Sequence, residues 1–315
     1  MISNTNLIKK FPDLDMGIKT KKNQYSIGIA IRTWNEANYL GRCITLLKKQ
    51  KSDLISSMEI MVIDSYSTDG TIEISEREGC TLIEIPKEKF NYGGSLNTGF
   101  KALNKDLIVS LSAHAIPRSE DFLHELIKPF SDPEVAGTYS RQDPWPDALF
   151  LEKVRIAKTF DSQPRAFTEA ENPDLHFSNV ASCVRKSCWK KKHFLEIPSS
   201  EDFFWAKDML NDGFKILYVP AVSVYHSHND SCKGFARRFY NILQNDLVNN
   251  KRTSLKETIR VIRAAASHIK YIVRICTKEQ GRAEEKLIAI NRSLLEFLFI
   301  IKYHFKYKSN TKRNT

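Results

Sequence analysis

The strongest constraint on this chain is a rhythm: from residue 25 to residue 111, short β-branched apolar runs alternate with helix-patterned segments. Tyr25–Ile31 (YSIGIAI), Met58–Ile63 (MEIMVI), Thr81–Ile85 and Asp106–Leu111 (DLIVSL) read as strands. Near-continuous apolar runs of this length suit strands covered on both faces, the environment of a parallel sheet. Between them, Glu36–Lys49 sets Leu40, Cys43, Ile44 and Leu47 on one helical face, with Asn35 placed to cap its start. Thr71–Glu78 and Ser95–Leu103 supply two more helices. Strands joined through helices at this spacing imply an α/β, doubly wound, mostly parallel sheet. Such sheets bind ligands beyond the carboxyl ends of their strands. The polar clusters Arg32–Glu36, Asp64–Asp69 and Ser112–His114 fall there.

The second half follows no such rhythm. Residues 132–176 are rich in Pro, Asp and Arg and are expected to form a long loop with helical pieces. Phe214–Val219 and Val222–Tyr225 read as two strands flanking Pro220. Beyond Cys232, Ile259, Ile262, Ala266, Ile269, Val273 and Cys276 recur every three or four residues, a helical spacing. Charge divides the chain at the same place. Residues 233–315 hold 19 Lys and Arg against 6 Asp and Glu, whereas residues 1–232 hold 29 against 31, so the formal +11 belongs to the C-terminal quarter. Three parts are therefore expected: a lead (1–24), an α/β domain (25–232) and a basic amphipathic helical tail (233–315). A tail of this character suits an anionic lipid surface, or a basic cap on the α/β domain.

Several classes are set aside on the same grounds. No apolar run approaches the roughly 20 residues that span a bilayer, and the first residues lack the apolar core of a secretory signal. Six cysteines without a C-x-x-C pair suit a reducing compartment, so a cytoplasmic protein, peripheral at the inner face of the membrane, is expected. The basic balance alone permits a nucleic-acid-binding protein, but no helix-turn-helix, zinc-finger or RNA-binding motif accompanies it, and no nucleic acid is expected as partner. A nucleotide-cofactor dehydrogenase is set aside because no G-x-G-x-x-G follows the first strand.

The chemistry-bearing residues admit two readings each at this point. Glu36 and Asp64, at strand ends, can accept hydrogen bonds from a base or a ribose hydroxyl, while Asp64 and Asp69 can equally shape a turn and cap a helix. His114 can ligate a cation through neutral imidazole or hydrogen-bond phosphate or sugar. His226 and His228 lie one residue apart after a strand, and one of the two is expected to be structural. Ser200 can cap a helix whose first residues, Glu201 and Asp202, either complement its dipole or do chemistry. Arg141 can clamp a diphosphate or an acceptor group, or form a surface ion pair.

An ordered series of segments then narrows these choices. IAIRTWNEANYLGRCI, MVIDSYSTDGTIEI, FNYGGSLNTG, LSAHAIP, YSRQDPWPDA, FSNVAS, SEDFFWAKDML and YVPAVSVYHSH, spanning roughly Ser26 to His228, resemble the family 2 glycosyltransferases of GT-A fold, in their rhamnosyltransferase-like branch. The resemblance implies a GT-A (Rossmann-like) domain with a C-terminal helical extension. It implies that Thr33, Glu36 and Asp64 hold base and ribose, that Asn97 faces the nucleotide sugar, and that Arg141 lies where the acceptor is met. It makes Asp202 the general base of an inverting transfer. The sugar, rhamnose by resemblance, would pass from a UDP- or dTDP-type donor to a glycan or polyprenyl-diphosphate-linked acceptor in surface polysaccharide synthesis. The family's Asp-x-Asp for Mg²⁺ or Mn²⁺ reads Ser112-Ala113-His114 here, which leaves the divalent cation in question and assigns His114 and His226 as its candidate ligands. A catalytically inactive nucleotide-sugar binder stays as the alternative.

Overall fold

The computed structural model describes residues 24–197, 199–228, 231–237, 239 and 254–311. The expected lead therefore lies, apart from Gln24, outside the described residues. Strand β1 (Tyr25–Thr33) is the hub, since its inner residues are inaccessible on both faces. It pairs in parallel with β2 (Ile55–Asp64) on one side and β4 (Leu107–Ser112) on the other, and β2 carries β3 (Thr81–Glu84) outward, also in parallel. The helices α1 (Ala37–Lys48), α2 (Thr71–Arg77) and α3 (Tyr92–Ala102) make the crossovers. On α1, Leu40, Cys43, Ile44 and Leu47 are the buried residues, as their spacing required.

Beyond β4 the sheet becomes mixed. The order is β3-β2-β1-β4-β8-β6-β9-β5, with β7 (Arg165–Phe167) paired to β9. Here β8 (Ala181–Arg185) runs antiparallel to β4 and β6, β6 (Val135–Asp143) runs parallel to β9 (Lys215–Tyr225), and β5 (Ile116–Pro117) runs antiparallel to β9. Short helices α4 (Phe122–Ile127), α5 (Phe150–Thr159), α6 (Lys186–Lys191) and α7 (Glu201–Asn211) cover it. Two apolar layers result. One joins α1 and α4 to the sheet through Leu40, Ile44, Phe122 and Ile127; the other packs α3, α6 and α7 through Leu96, Phe100, Trp189 and Trp205.

Two expectations change. Part of the supposed loop over 132–176 is the nine-residue strand β6, whose polar residues are buried because the strand lies inside the sheet, Thr138 Oγ1 donating to Leu126 O at 2.7 Å. The two strands expected around Pro220 are one, β9. Its pairing with β6 jumps from Ser140↔Val219 to Arg141↔Ser223, so residues 220–222 bulge out and the missing proline N–H breaks no ladder bond. The C-terminal helices α8 (Ser254–Lys278) and α9 (Ala283–Thr311) form a hairpin. Ile272, Cys276 and Ala289 of this hairpin pack on Phe150 and Leu151 of α5, while Val261 and Ala265 meet Ala236 and Ile300.

One close approach ties the two halves of the domain. A Cβ added at Gly93, in the first turn of α3, would overlap the backbone carbonyl of Leu195 in the segment leading to α7. Backbone cannot yield there as a side chain can. Gly93→Ala is expected to destabilise the fold by about 1–3 kcal/mol or more, as overpacking does. Thermal denaturation measures it, and an unshifted melting temperature would contradict the contact.

Candidate active site

The sheet register assembles the site. Thr33 lies opposite Asp64 in the β1–β2 ladder, and Arg32 lies opposite Ser112 in the β1–β4 ladder, so the three polar clusters leave the same edge. The first two loops are laced together. Asn35 N–H donates to Ser67 Oγ (2.7 Å), Thr68 N–H to Asn35 Oδ1 (2.8 Å), Glu36 N–H to Thr71 Oγ1 (2.9 Å) and Ala37 N–H to Asp69 Oδ2 (3.0 Å). Asn35 is therefore not the cap of α1. It stands in the left-handed region at φ 55°, and the helix takes its acceptor from Asp69 across the loop. Asp64 is fully buried, its two oxygens accepting the Ser67 N–H (2.7 Å) and Oγ–H (2.6 Å), an Asx-type turn that leaves each oxygen a second lone pair. Thr33 is 6% exposed, and its Oγ1 has no hydrogen-bond partner among the described residues. A buried hydroxyl without a partner at a strand end marks a place where a ligand group belongs.

Three imidazoles meet beside this corner. His114, from the turn between β4 and β5, and His226 and His228, from the segment after β9, present ligand atoms that all lie within 4.8 Å of one another. The rings of His114 and His226 stack at 4.9 Å, and His228 stands edge-on to both at 5.3 and 4.7 Å. His114 Nδ1 is 2.7 Å from Glu36 Oε1, and His226 Nδ1 is 2.9 Å from Gln142 Oε1. His114 Nε2 is buried with no hydrogen-bond partner among the described residues. Imidazoles oriented through one nitrogen by a carboxylate or amide are the usual dress of a metal site, so the residues fit a divalent cation. One of His226 and His228 was expected to be structural; both rings lie in the cluster.

The third corner is the start of α7. Ser200 precedes it at φ 68° and makes no side-chain cap bond, contrary to expectation. Asp202 accepts hydrogen bonds from Asn179 N–H (Oδ2, 3.1 Å) and Phe203 N–H (Oδ1, 2.9 Å). Glu201, 4% exposed, places Oε1 3.4 Å from Arg32 Nη1 and 3.4 Å from Asn179 Nδ2. The segment of Asn179 is itself bound to β4, with Ser110 Oγ donating to Asn179 O (2.8 Å) and Ser112 N–H to Val180 O (3.0 Å). Short links thus run from Asp202 to β4, the strand that precedes the turn of His114. Burial raises the Asp202 carboxyl above the ordinary aspartate range. Burial, then the Asp202 charge, raises Glu201 to about 6, with Arg32 pulling the other way.

Two expected site residues are engaged elsewhere. Asn97 does not present its amide to a ligand: Nδ2 donates to Phe194 O (2.8 Å), while Oδ1 accepts from Trp189 Nε1 and Phe194 N–H, both at 3.1 Å. It braces α3 against α6 and the segment that follows. Arg141 lies 3.2 Å from Asp143, which also binds Arg118 and Ser223 Oγ. Sequence reasoning gave no role to Gln142 and Asn179, placed Arg32 only in a polar cluster at a strand end, and left Glu201 between helix dipole and chemistry. Gln142 was out of reach, since its segment was expected as a loop and strand alternation applies only once β6 is known. A cavity of ≈ 230 Å³ lies between α5, α8 and α9, and His228 shares its wall with Phe150, Tyr271, Ile272 and Arg292.

The raised carboxyl of Glu201 has a consequence for stability. Its folded-state value of about 6 exceeds the ordinary 4.5, so the unfolded chain ionises first, and stability present below pH 4.5 is lost as pH rises through about 6. Glu201→Gln is expected to flatten the pH dependence of the unfolding midpoint across that window. Parallel slopes for the two proteins would show that Glu201 is not so held.

The sequence profile described as Glycosyl transferase family 2 matches residues 28–186. Among curated proteins, the O-antigen chain rhamnosyltransferase RfbN of Salmonella typhimurium is 27% identical over 223 residues, covering 68% of this chain and 70% of that protein. The O-antigen chain rhamnosyltransferase WbaN of Salmonella anatum is 29% identical over 195 residues, covering 58% of this chain and 60% of that protein. Among solved structures, S. aureus TarS 1-349 in complex with UDP superposes with a TM-score of 0.54 at 12% identity, over 90% of this chain and 92% of that one. Mannosyltransferase PcManGT from Pyrobaculum calidifontis, in complex with GDP-Man and Mn2+, gives 0.50 at 16% identity, over 93% and 76%. These two likenesses carry the fold.

Proposed function

The chain belongs to glycosyl transferase family 2, with the GT-A fold, and from that premise we propose that it moves a rhamnosyl group from a UDP- or dTDP-type donor to a hydroxyl of a glycan or polyprenyl-diphosphate-linked acceptor in surface polysaccharide synthesis. The observation that carries the reading is the convergence of three corners on one sheet edge: the Thr33–Glu36–Asp64 loops, the imidazole cluster and the Asp202 carboxyl. The names of the two curated relatives support rhamnose and O-antigen synthesis.

In this reading Thr33, Glu36 and Asp64 hold base and ribose, the orphaned Thr33 hydroxyl gaining a partner. Arg141 stands by the acceptor side. Asp202 takes the proton of the acceptor hydroxyl, whose oxygen attacks the anomeric carbon as the bond to the nucleoside diphosphate breaks, with inversion. A carboxyl held above its ordinary range is a stronger base once ionised, which suits the task. His114 and His226 would hold a divalent cation, which when bound supplies charge neutralisation for the leaving diphosphate. The family and the names of the two curated relatives favour an active transferase over an inactive nucleotide-sugar binder. The nucleic-acid reading finds no support in the family.

The C-terminal hairpin would seat the enzyme on anionic lipid at the inner face of the membrane. No described helix is long and apolar enough to cross a membrane. Yet Ile259, Ile262 and Val273 of α8 and Leu294, Leu295 and Leu298 of α9 stand exposed, and Arg260, Arg263, Lys270 and Arg274 accompany them on α8. Apolar side chains beside cations are what an anionic interface binds.

Two measurements test this. Asp202→Asn is expected to lower kcat about 10²–10⁴-fold, the usual share of a general base, while nucleotide affinity by calorimetry stays unchanged; near-normal turnover would remove Asp202 from the role. In flotation, the full chain should rise with vesicles containing phosphatidylserine and stay behind with phosphatidylcholine alone. Equal recovery in both would defeat the electrostatic part.

A further inference from the structure

The imidazole cluster says more than that a cation is held. We propose that His114, His226 and His228 form a three-imidazole site selective for borderline first-row ions, Zn²⁺ and Co²⁺ before Mn²⁺, and closed to Mg²⁺.

The donor set makes the choice. Among the described residues, the group of possible ligands close enough to share one ion consists of these three histidines and no carboxylate. Mg²⁺ demands hard oxygen ligands at octahedral positions and gives up water reluctantly, so an all-nitrogen set cannot select it. Imidazole suits Zn²⁺, Co²⁺ and their neighbours, and affinity at a nitrogen site rises from Mn²⁺ through Co²⁺, with Zn²⁺ also bound well. Three protein nitrogens leave an open position, the arrangement of sites that also receive substrate or water.

The surroundings suit this assignment. Glu36 accepts at His114 Nδ1, which fixes the tautomer that leaves Nε2 as the ligating nitrogen, and Nε2 lies buried and without a partner among the described residues. Gln142 Oε1 holds His226 Nδ1 in the same manner. Gln142 is itself fixed by its Nε2 donating to Ser178 Oγ at 3.0 Å. Glu36 thereby becomes a positioning residue for the cation as well as a member of the nucleotide loop. The inference rests on the glycosyl-transfer reading only for what the cation does, not for where it binds or which ion is chosen.

The test reads binding, not turnover. The full chain, stripped by chelation and dialysed, is titrated with Co²⁺ and followed by its visible absorption. One Co²⁺ per chain, displaced by equimolar Zn²⁺ and undisturbed by a large excess of Mg²⁺, is expected; displacement by Mg²⁺, or no Co²⁺ band at all, would overturn the proposal. This arm needs no variant. His114→Ala and His228→Ala should each abolish the band while circular dichroism stays native, and His124→Ala, outside the cluster beside Ser52, should leave it intact. Glu36→Gln should weaken Co²⁺ about 10–100-fold, the usual cost of a lost outer partner. Full affinity in folded His228→Ala would reduce the site to two ligands and refute it. If Co²⁺ binds as described and no donor is ever turned over, the proposed function fails and the site stands; if donor is turned over by a chain that binds no Co²⁺, the site fails alone.

Discussion

Everything in the site depends on β1 being held between two parallel partners. The two ladders fix Thr33 beside Asp64 and Arg32 beside Ser112, and a slip of one residue in either would turn these side chains to the other face. The slip is resisted by burial, because Ile27, Ile29 and Ile31 on one face and Ala30 on the other are wholly enclosed. A parallel strand with no wet face has one register that keeps its apolar side chains inside. From that register the loops can be short and mutually bonded, and Glu36 reaches His114 from a neighbouring strand end. Chemistry is thus placed by packing several residues away from it.

Local strain gathers where these loops turn. The described residues other than glycine with positive φ are Asn35, Tyr66 and Ser200, the first adjacent to Glu36 and the others two residues from Asp64 and Asp202. A left-handed backbone costs a residue with a Cβ of order 1–2 kcal/mol, so it persists only where surroundings enforce it. At Asn35 the enforcing bonds are visible, from Ser67 and Thr68. The backbone is bent at each corner to set the next side chains in place.

The part of the fold governed by periodicity was legible in the sequence, and the part governed by tertiary cover was not. The first four strands, and α1 with its buried face, follow from spacing alone. Strand β6 was hidden because VAGTYSRQD reads as polar, and only its position inside the sheet pays for burying Thr138, Ser140 and Gln142. Asn35 passed for a cap because Asn before a helix usually is one; the competing acceptor, Asp69, is distant in sequence. Asn97 sits in a segment resembling a donor site, yet the three groups that consume it come from residues 189 and 194. His228 was divided from His226 because a loop after a strand has no alternation rule to say where each ring turns. The roles proposed for Asp202, His114 and the nucleotide loop came from resemblance; the hydrogen bonds that hold each in place came from the folded chain.

The cavity walled by α5, α8 and α9 has His228 on its boundary, and the stretch that marks family membership ends at residue 186. Asp202, His226, His228 and most of that cavity's walls therefore lie in the portion outside the match. The match thus takes in the nucleotide loops and His114, whereas the proposed base and two of the three clustered imidazoles come from the chain beyond it, so the site is completed across the boundary of the family-defining segment.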